Sequence, residues 1–198
     1  SEQGKVTKSS PLGSIDYPFS PIALSLGAGG AFLARGVDVF GAHLEEMVTK
    51  ASAHQGTAMV EIYQNCNIFN DGAFEPLTDK KIKDDNVVAV EHGKPMVFGK
   101  NHDKGIKLDG FMPQVVSLTD GSYSIDDLQV YDETNDELAY IVARMTDYDW
   151  APTPIGVLLA IDRPTYEDKV HEQVNRAKEK LGEGDLLSIL NEGETWEV

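Results

Sequence analysis

AFLARGVDVFGAHLEEMVTKASAHQGTAMVEIY, residues 31–63, is the stretch from which the fold class can be read. Its first five residues, AFLAR at 31–35, have the length and apolar composition of a short strand. In the middle, Leu44, Met47, Val48 and Ala51 recur at i, i+3, i+4 and i+7, which lines four apolar side chains along one face of a helix. Gly56 stands where that helix can end, since glycine takes the left-handed conformation without a Cβ clash. TAMVEIY at 57–63 is strand-like again. Just upstream, PIALSLGAGG at 21–30 reads as a short helix, with Pro21 at a first helical position and glycines closing the end. Helix, strand, helix, strand in short steps specifies an α/β fold.

The flanks are read the same way. Residues 1–20 carry Pro11, Gly13 and Pro18, unsuited to a helix interior, and are expected to be extended. Beyond 63, Pro76 and a run of charges interrupt the pattern, which places a seam near 76–86. VVAVEHGKPMVFGKNHDKGIKLDG predicts strands near 87–91, 95–99 and 105–109. TNDE suggests a capping box of Thr134 with Glu137, opening a helix with Leu138, Ile141, Val142 and Met145 on its apolar face. PIGVLLAI at 154–161 has the composition of a buried strand. TYED places a second capping box at Thr165 and Asp168, before a helix striped by Val170, Val174, Ala177 and Leu181. A short last helix is expected over 185–191.

Composition limits the partners. With 17 Lys and Arg against 33 Asp and Glu, the formal charge of −16 repels nucleic-acid phosphates and anionic lipid. The one basic run, KKIK at 80–83, is followed at once by Asp84 and Asp85. Hydrophobic residues make up 41% of the chain, enough for a packed core. No apolar run approaches the roughly 20 residues that span a bilayer, and the N-terminal SEQGKVTKSS has no signal-peptide character. The expectation is a cytoplasmic protein with neither a nucleic-acid nor a membrane partner.

Few local motifs carry chemistry. GAGG at 27–30 has the wrong spacing for a dinucleotide loop and follows a helix instead of leading into one, so it reads as a helix-ending turn. His43, His54, His92, His102 and His171 show no metal-ligand spacing. The single cysteine, Cys66 in VEIYQNCNIFND at 60–71, excludes a disulfide within the chain and a site built only of its own thiolates. Three readings of Cys66 stand open: a small buried apolar side chain, a nucleophile that would need a base or helix N-terminus nearby, or one ligand of a cluster completed from elsewhere.

Two long segments, GKVTKSSPLGSIDYPFSPIALSLGAGGAFLARG at 4–36 and HQGTAMVEIYQNCNIFNDGAF at 54–74, resemble the β subunit of 2-oxoacid:ferredoxin oxidoreductases, most of all the 2-oxoglutarate type. HGKPMVFG, LQVYDE, LAYIVARM, PIGVLLAIDRPTYED and the closing GETWEV continue the likeness colinearly to residue 198. The family's N-terminal C-x-x-C-G motif, third cysteine and G-D-G-D stretch with its Mg²⁺-binding asparagine do not occur here, so the resemblance is to the C-terminal half.

The resemblance implies a fold, a reaction and a role for Cys66. The fold would be the C-terminal half of a thiamine-diphosphate-binding parallel-sheet domain, residues 1–80, followed by a smaller mixed α+β extension, 81–198. The reaction would be CoA-dependent oxidative decarboxylation of a 2-oxoacid, with electrons passing through a 4Fe–4S cluster to ferredoxin. In the family, the cysteine of the Q-x-C-x-x-F-N context is the fourth thiolate of that cluster, and Cys66 holds this place in QNCNIFN. Thiamine diphosphate, Mg²⁺ and the cluster would all need the absent N-terminal half, and the α subunit would be a further partner. Thr7 and Lys8 are candidates to contact an anionic carboxylate or CoA. Asn70 and Asp71 are expected to shape the turn after Cys66. The rival readings are a non-catalytic interaction or scaffold fragment of the same fold, the same chemistry on pyruvate or a branched-chain 2-oxoacid, and a cysteine-dependent enzyme using Cys66.

Overall fold

The first helix starts where its proline predicts. Helix α1 (Pro21–Gly27) follows Ser20, whose hydroxyl accepts a hydrogen bond from the Ala23 amide at 3.2 Å, and GAGG forms the turn that ends it. The computed structural model describes residues 3–194 and Trp196. Ser1 and Glu2, and Thr195, Glu197 and Val198 of the closing GETWEV motif, lie outside the described residues.

Strand β1 (Phe32–Val37), helix α2 (Gly41–Ala53) and strand β2 (Ala58–Tyr63) make a parallel crossover unit, in register from Phe32 opposite Ala58 to Val37 opposite Tyr63. Every residue of β1 is buried because both of its faces are covered. Phe32 and Ala34 pack with Met47 of α2, while Leu33 joins Ile22 of α1 in the main core. The buried stripe of α2 is narrower than its periodicity implies: Met47 is buried and Val48 is half exposed. The helix ends at Ala53 with His54 as its cap, ahead of Gly56.

The stretch read as a seam folds into two single-turn helices, α3 (Glu75–Thr78) and α4 (Lys83–Asn86), which lead to β3 (Val87–Val90). Strands β4 (Val97–Phe98), β5 (Lys104–Asp109) and β6 (Met112–Ser117) form an antiparallel sheet. Sequence reasoning passed over β6 because Pro113 interrupts it; as an edge strand it tolerates the proline. Helix α5 (Asp136–Ala143) is capped by Asn135, whose side chain accepts from the Leu138 amide at 2.8 Å. The expected Thr134–Glu137 box does not form, because the Thr134 hydroxyl donates instead to Asp132 at 2.7 Å.

Strand β7 (Thr153–Ala160) then enters between β1 and β3, giving the order β2-β1-β7-β3. It runs antiparallel to β1 and parallel to β3, so the expected parallel sheet is a mixed one. The linker after β2 leads to β3, which lies beyond β7 at the far edge and runs opposite to β1 and β2, and β7 enters between them in the direction of β3. Gly156, at φ +124°, lets β3 approach: a Cβ there would stand 2.5 Å from the Val90 carbonyl oxygen. The sheet takes β1 and β2 from before residue 80 and β3 and β7 from after it.

The chain divides into two compact units after Asp162. In the second, helix α6 (Tyr166–Leu181) opens with the expected box, Thr165 accepting from the Asp168 amide and Asp168 from the Thr165 amide, both at 3.1 Å. Helix α7 (Leu186–Leu190) follows. Neither helix contains a buried residue, so the Val170, Val174, Ala177 and Leu181 stripe is not part of a core.

Among the described residues of the first unit, one charged side chain is fully buried. Arg35, 1% exposed, donates from Nε to Glu61 Oε2 at 2.7 Å, and its other nitrogens donate to the carbonyls of Pro154 and Ala143, each at 3.3 Å. Three fixed bonds suit the planar guanidinium fork. Glu61→Ala leaves this cation buried without its counter-charge and should cost about 3 kcal/mol or more of unfolding free energy, read from urea denaturation.

Candidate functional site

Strands β1 and β2 are parallel, so their carboxyl ends share one end of the sheet. Open α/β sheets present binding loops there. Beneath this end, Val37, Leu77 and Ile155 form a small core with Phe40, Tyr63, Phe74 and Val87 packed on it. Tyr63, the last residue of β2, stacks on Phe74 with ring centroids 4.6 Å apart and lies under the Arg35 guanidinium at 5.4 Å. The two ends of the intervening loop are therefore pinned to the sheet, and Cys66 lies within that loop.

Cys66 is exposed, which removes the reading as a small buried apolar side chain. Its carbonyl accepts from the Asn70 amide at 2.8 Å, closing a tight turn through Asn67, Ile68 and Phe69. The backbone N–H groups of Phe69 and Ile68, and to a lesser degree Asn70, hold the thiol below its ordinary pKa by favouring the thiolate. Asp71 opposes this by charge. Cys66 and Asn70 are antiparallel bridge partners, so their side chains leave the turn on the same side. Asn70 Oδ1 is buried with no hydrogen-bond partner among the described residues. Asp71 shapes the turn as expected: its Oδ1 accepts from Asn65 Nδ2 at 2.9 Å.

A reachable sulfur held toward the thiolate form suits one ligand of a metal or iron–sulfur group. It does not make a complete site. Among the described residues no group of three or more His, Cys, Asp and Glu is placed to hold a metal ion, and this also leaves Mg²⁺ without a cage here. The other candidates are Thr7 and Lys8. Thr7 Oγ1 bonds Ser9 Oγ at 3.1 Å and receives the Ser10 amide at 3.2 Å. Lys8 is exposed, and no hydrogen bond or ion pair among the described residues joins Thr7 or Lys8 to the Cys66 loop. The first unit also contains an apolar cleft of about 600 Å³ lined by Leu26, Phe111, Met112, Tyr140, Ile141 and Tyr148. No helix of the described residues is long and apolar enough to cross a membrane.

Sequence reasoning missed two residues of this end of the sheet. Arg35 was readable as a charge in an apolar strand with Glu61 at the matching place in the next, and Asn65 as an amide one residue before the cysteine.

Comparison with known proteins places the chain. No protein-family model matches it. The 2-oxoglutarate oxidoreductase subunit KorB of Mycobacterium tuberculosis is 41% identical over 202 aligned residues, covering all of this chain and 53% of that protein. The 2-oxoacid:ferredoxin oxidoreductase subunit beta of Saccharolobus solfataricus is 38% identical over 79 residues, 40% of this chain and 26% of that one. In fold, the chain is similar to a 2-oxoglutarate:ferredoxin oxidoreductase from Magnetococcus marinus, solved with 2-oxoglutarate, coenzyme A and succinyl-CoA bound. That superposition has a TM-score of 0.62 at 16% identity, over 97% of this chain and 51% of that one. These relatives are oxidoreductase subunits. The chain belongs to the β-subunit family of the 2-oxoacid:ferredoxin oxidoreductases, and it spans about half the length of the curated relative it matches from end to end.

The amides around Cys66 give a direct expectation. Alkylation of the iron-free chain by iodoacetamide, followed against pH, should reach half its maximal rate below the pH that a free cysteine in a short peptide requires. A midpoint at or above the peptide's would show that the turn does not stabilise the thiolate.

Proposed function

We propose that this chain supplies the fourth thiolate, Cys66, to a 4Fe–4S cluster in a 2-oxoglutarate:ferredoxin oxidoreductase. Its remaining ligands, and the thiamine diphosphate and Mg²⁺ site, come from polypeptide outside these 198 residues. The observation that carries the reading is the exposed Cys66 sulfur, turned toward the thiolate form by three backbone amides, at the place that holds the cluster cysteine in the family motif. The overall change is 2-oxoacid, CoA and two oxidised ferredoxins to acyl-CoA, CO₂, a proton and two reduced ferredoxins. When bound, thiamine diphosphate supplies the carbanion chemistry and the cluster accepts electrons singly.

The chain's own part is to hold and shield. The β2 end and the Tyr63–Phe74 stack fix where Cys66 stands. The amides at 68–70 lower the cost of a negative sulfur. Lys8, an exposed cation beside Thr7, suits a carboxylate or CoA phosphate as a point charge. Residues 1–80 would complete the thiamine-diphosphate domain, and the later residues would form its extension. The rest of the subunit and the α subunit would cover what is bare here: the unpaired edge of β2 and the exposed Leu12, Ile15, Tyr17 and Phe19. Ferredoxin would be the electron acceptor, in the cytoplasm.

Oxygen-free purification from the native source should yield the chain with iron, acid-labile sulfide, thiamine diphosphate and cysteine-bearing partner polypeptide. Cys66→Ser in that assembly should abolish the 4Fe–4S spectrum. A chain isolated alone and metal-free, or a Cys66→Ser assembly with its cluster intact, would refute the ligand role; the first outcome would favour the interaction-fragment reading. In the active assembly, Lys8→Ala should raise KM for the 2-oxoacid or CoA about tenfold with kcat little changed, as loss of a charge-assisted contact does.

A further inference from the structure

The turn that carries Cys66 has little apolar support of its own. Ile68 and Phe69, at its tip, are 62% and 51% exposed. One amide side chain braces it from outside. Asn65 Nδ2 donates to Asp71 Oδ1 at 2.9 Å, and Asn65 Oδ1 accepts from the Gly72 N–H at 2.9 Å. Gly72, at φ +76°, can take the left-handed conformation that this closure requires. These two bonds bracket the inner bond from the Asn70 amide to the Cys66 carbonyl. The side chains of Cys66 and Asn70 leave the turn together inside the bracket.

We propose that Asn65 is a positioning residue for the cluster ligand: by bridging Asp71 and Gly72 it sets the direction in which Cys66 faces the iron–sulfur group. The residue type follows from the task. One planar amide offers a donor and an acceptor side by side, so it serves a carboxylate and a backbone N–H at once. Alanine offers neither, and aspartate sets a second carboxylate against Asp71. Asn65 is itself exposed and belongs to no apolar core, so its loss acts on the turn and not on the sheet. The inference rests on Cys66 as a ligand.

The test compares the complete oxygen-free assembly with Asn65→Ala, Asn65→Asp and the exchange Asn65→Asp with Asp71→Asn. The readouts are iron release to a chelator, the cluster midpoint potential by redox-titrated EPR, deuterium exchange at the Gly72 amide, and Tm. Asn65→Ala is expected to release iron about tenfold faster, the usual scale for losing a partner that orients a metal ligand. It should also shift the midpoint potential and speed exchange at Gly72, with Tm unchanged. The exchange variant should restore all three, because a carboxylate at 65 accepts from both the new amide at 71 and the Gly72 N–H. Wild-type iron release and potential in Asn65→Ala would overturn the proposal, as would an exchange variant no better than Asn65→Asp alone. Cys66→Ser separates the two ideas: if it keeps its iron, the ligand reading itself fails; if it loses iron while Asn65→Ala does not, only the positioning role fails.

Discussion

The ion pair of buried Arg35 with partly buried Glu61 constrains the rest of the first unit. A guanidinium taken out of water is costly unless its charge and its N–H groups are all met. Here the partners come from three other elements: Glu61 on β2, the Pro154 carbonyl on β7 and the Ala143 carbonyl at the end of α5. The C-terminal carbonyls of a helix favour a cation electrostatically. Sliding β2 by one residue would turn Glu61 away from the guanidinium and oppose it with an apolar residue, Val60 or Ile62. The pair thus fixes register as well as contributing attraction.

From that pair a line of contacts reaches the functional end. Arg35 lies over the Tyr63 ring, Tyr63 stacks on Phe74, and between Tyr63 and Phe74 runs the turn with Cys66. Burial raises the Tyr63 pKa, so its ring stays neutral beneath the cation. A cysteine on a free surface loop would wander. Here its stems rest on a rigid sheet end, and an amide clamp closes the part that leaves the sheet. The exposed apolar residues of the first twenty positions and the bare edge of β2 lie on a chain that spans half of its long relative. Such surface is ordinary for one part of a larger assembly and unusual for a free monomer.

Much of the local structure was legible because it depends on neighbours in sequence. Pro21 marked the start of α1, Thr165 with Asp168 marked the start of α6, and PIGVLLAI was a buried strand by composition alone. The failures were of two kinds. At 134–137 two local solutions competed, and Asn135 won the cap because Thr134 was taken by Asp132. At 112–117 proline hid a strand that only its edge position permits. The Val170 to Leu181 stripe has helical periodicity, and periodicity cannot say whether anything lies against it.

By itself, the sequence determined the α/β class, most of the helices and strands, and the one thiol in its family-like setting, because hydrophobic period, caps and motif are written within short windows. Tertiary structure decided the rest. It placed β7 inside the sheet, antiparallel to β1 and parallel to β3. It put Arg35 opposite Glu61, and Asn65 across from Asp71 and Gly72. It also turned the amides of 68–70 toward Cys66. Each of these is a distance between residues that no local window compares, set by the need to satisfy buried charge and backbone polarity together.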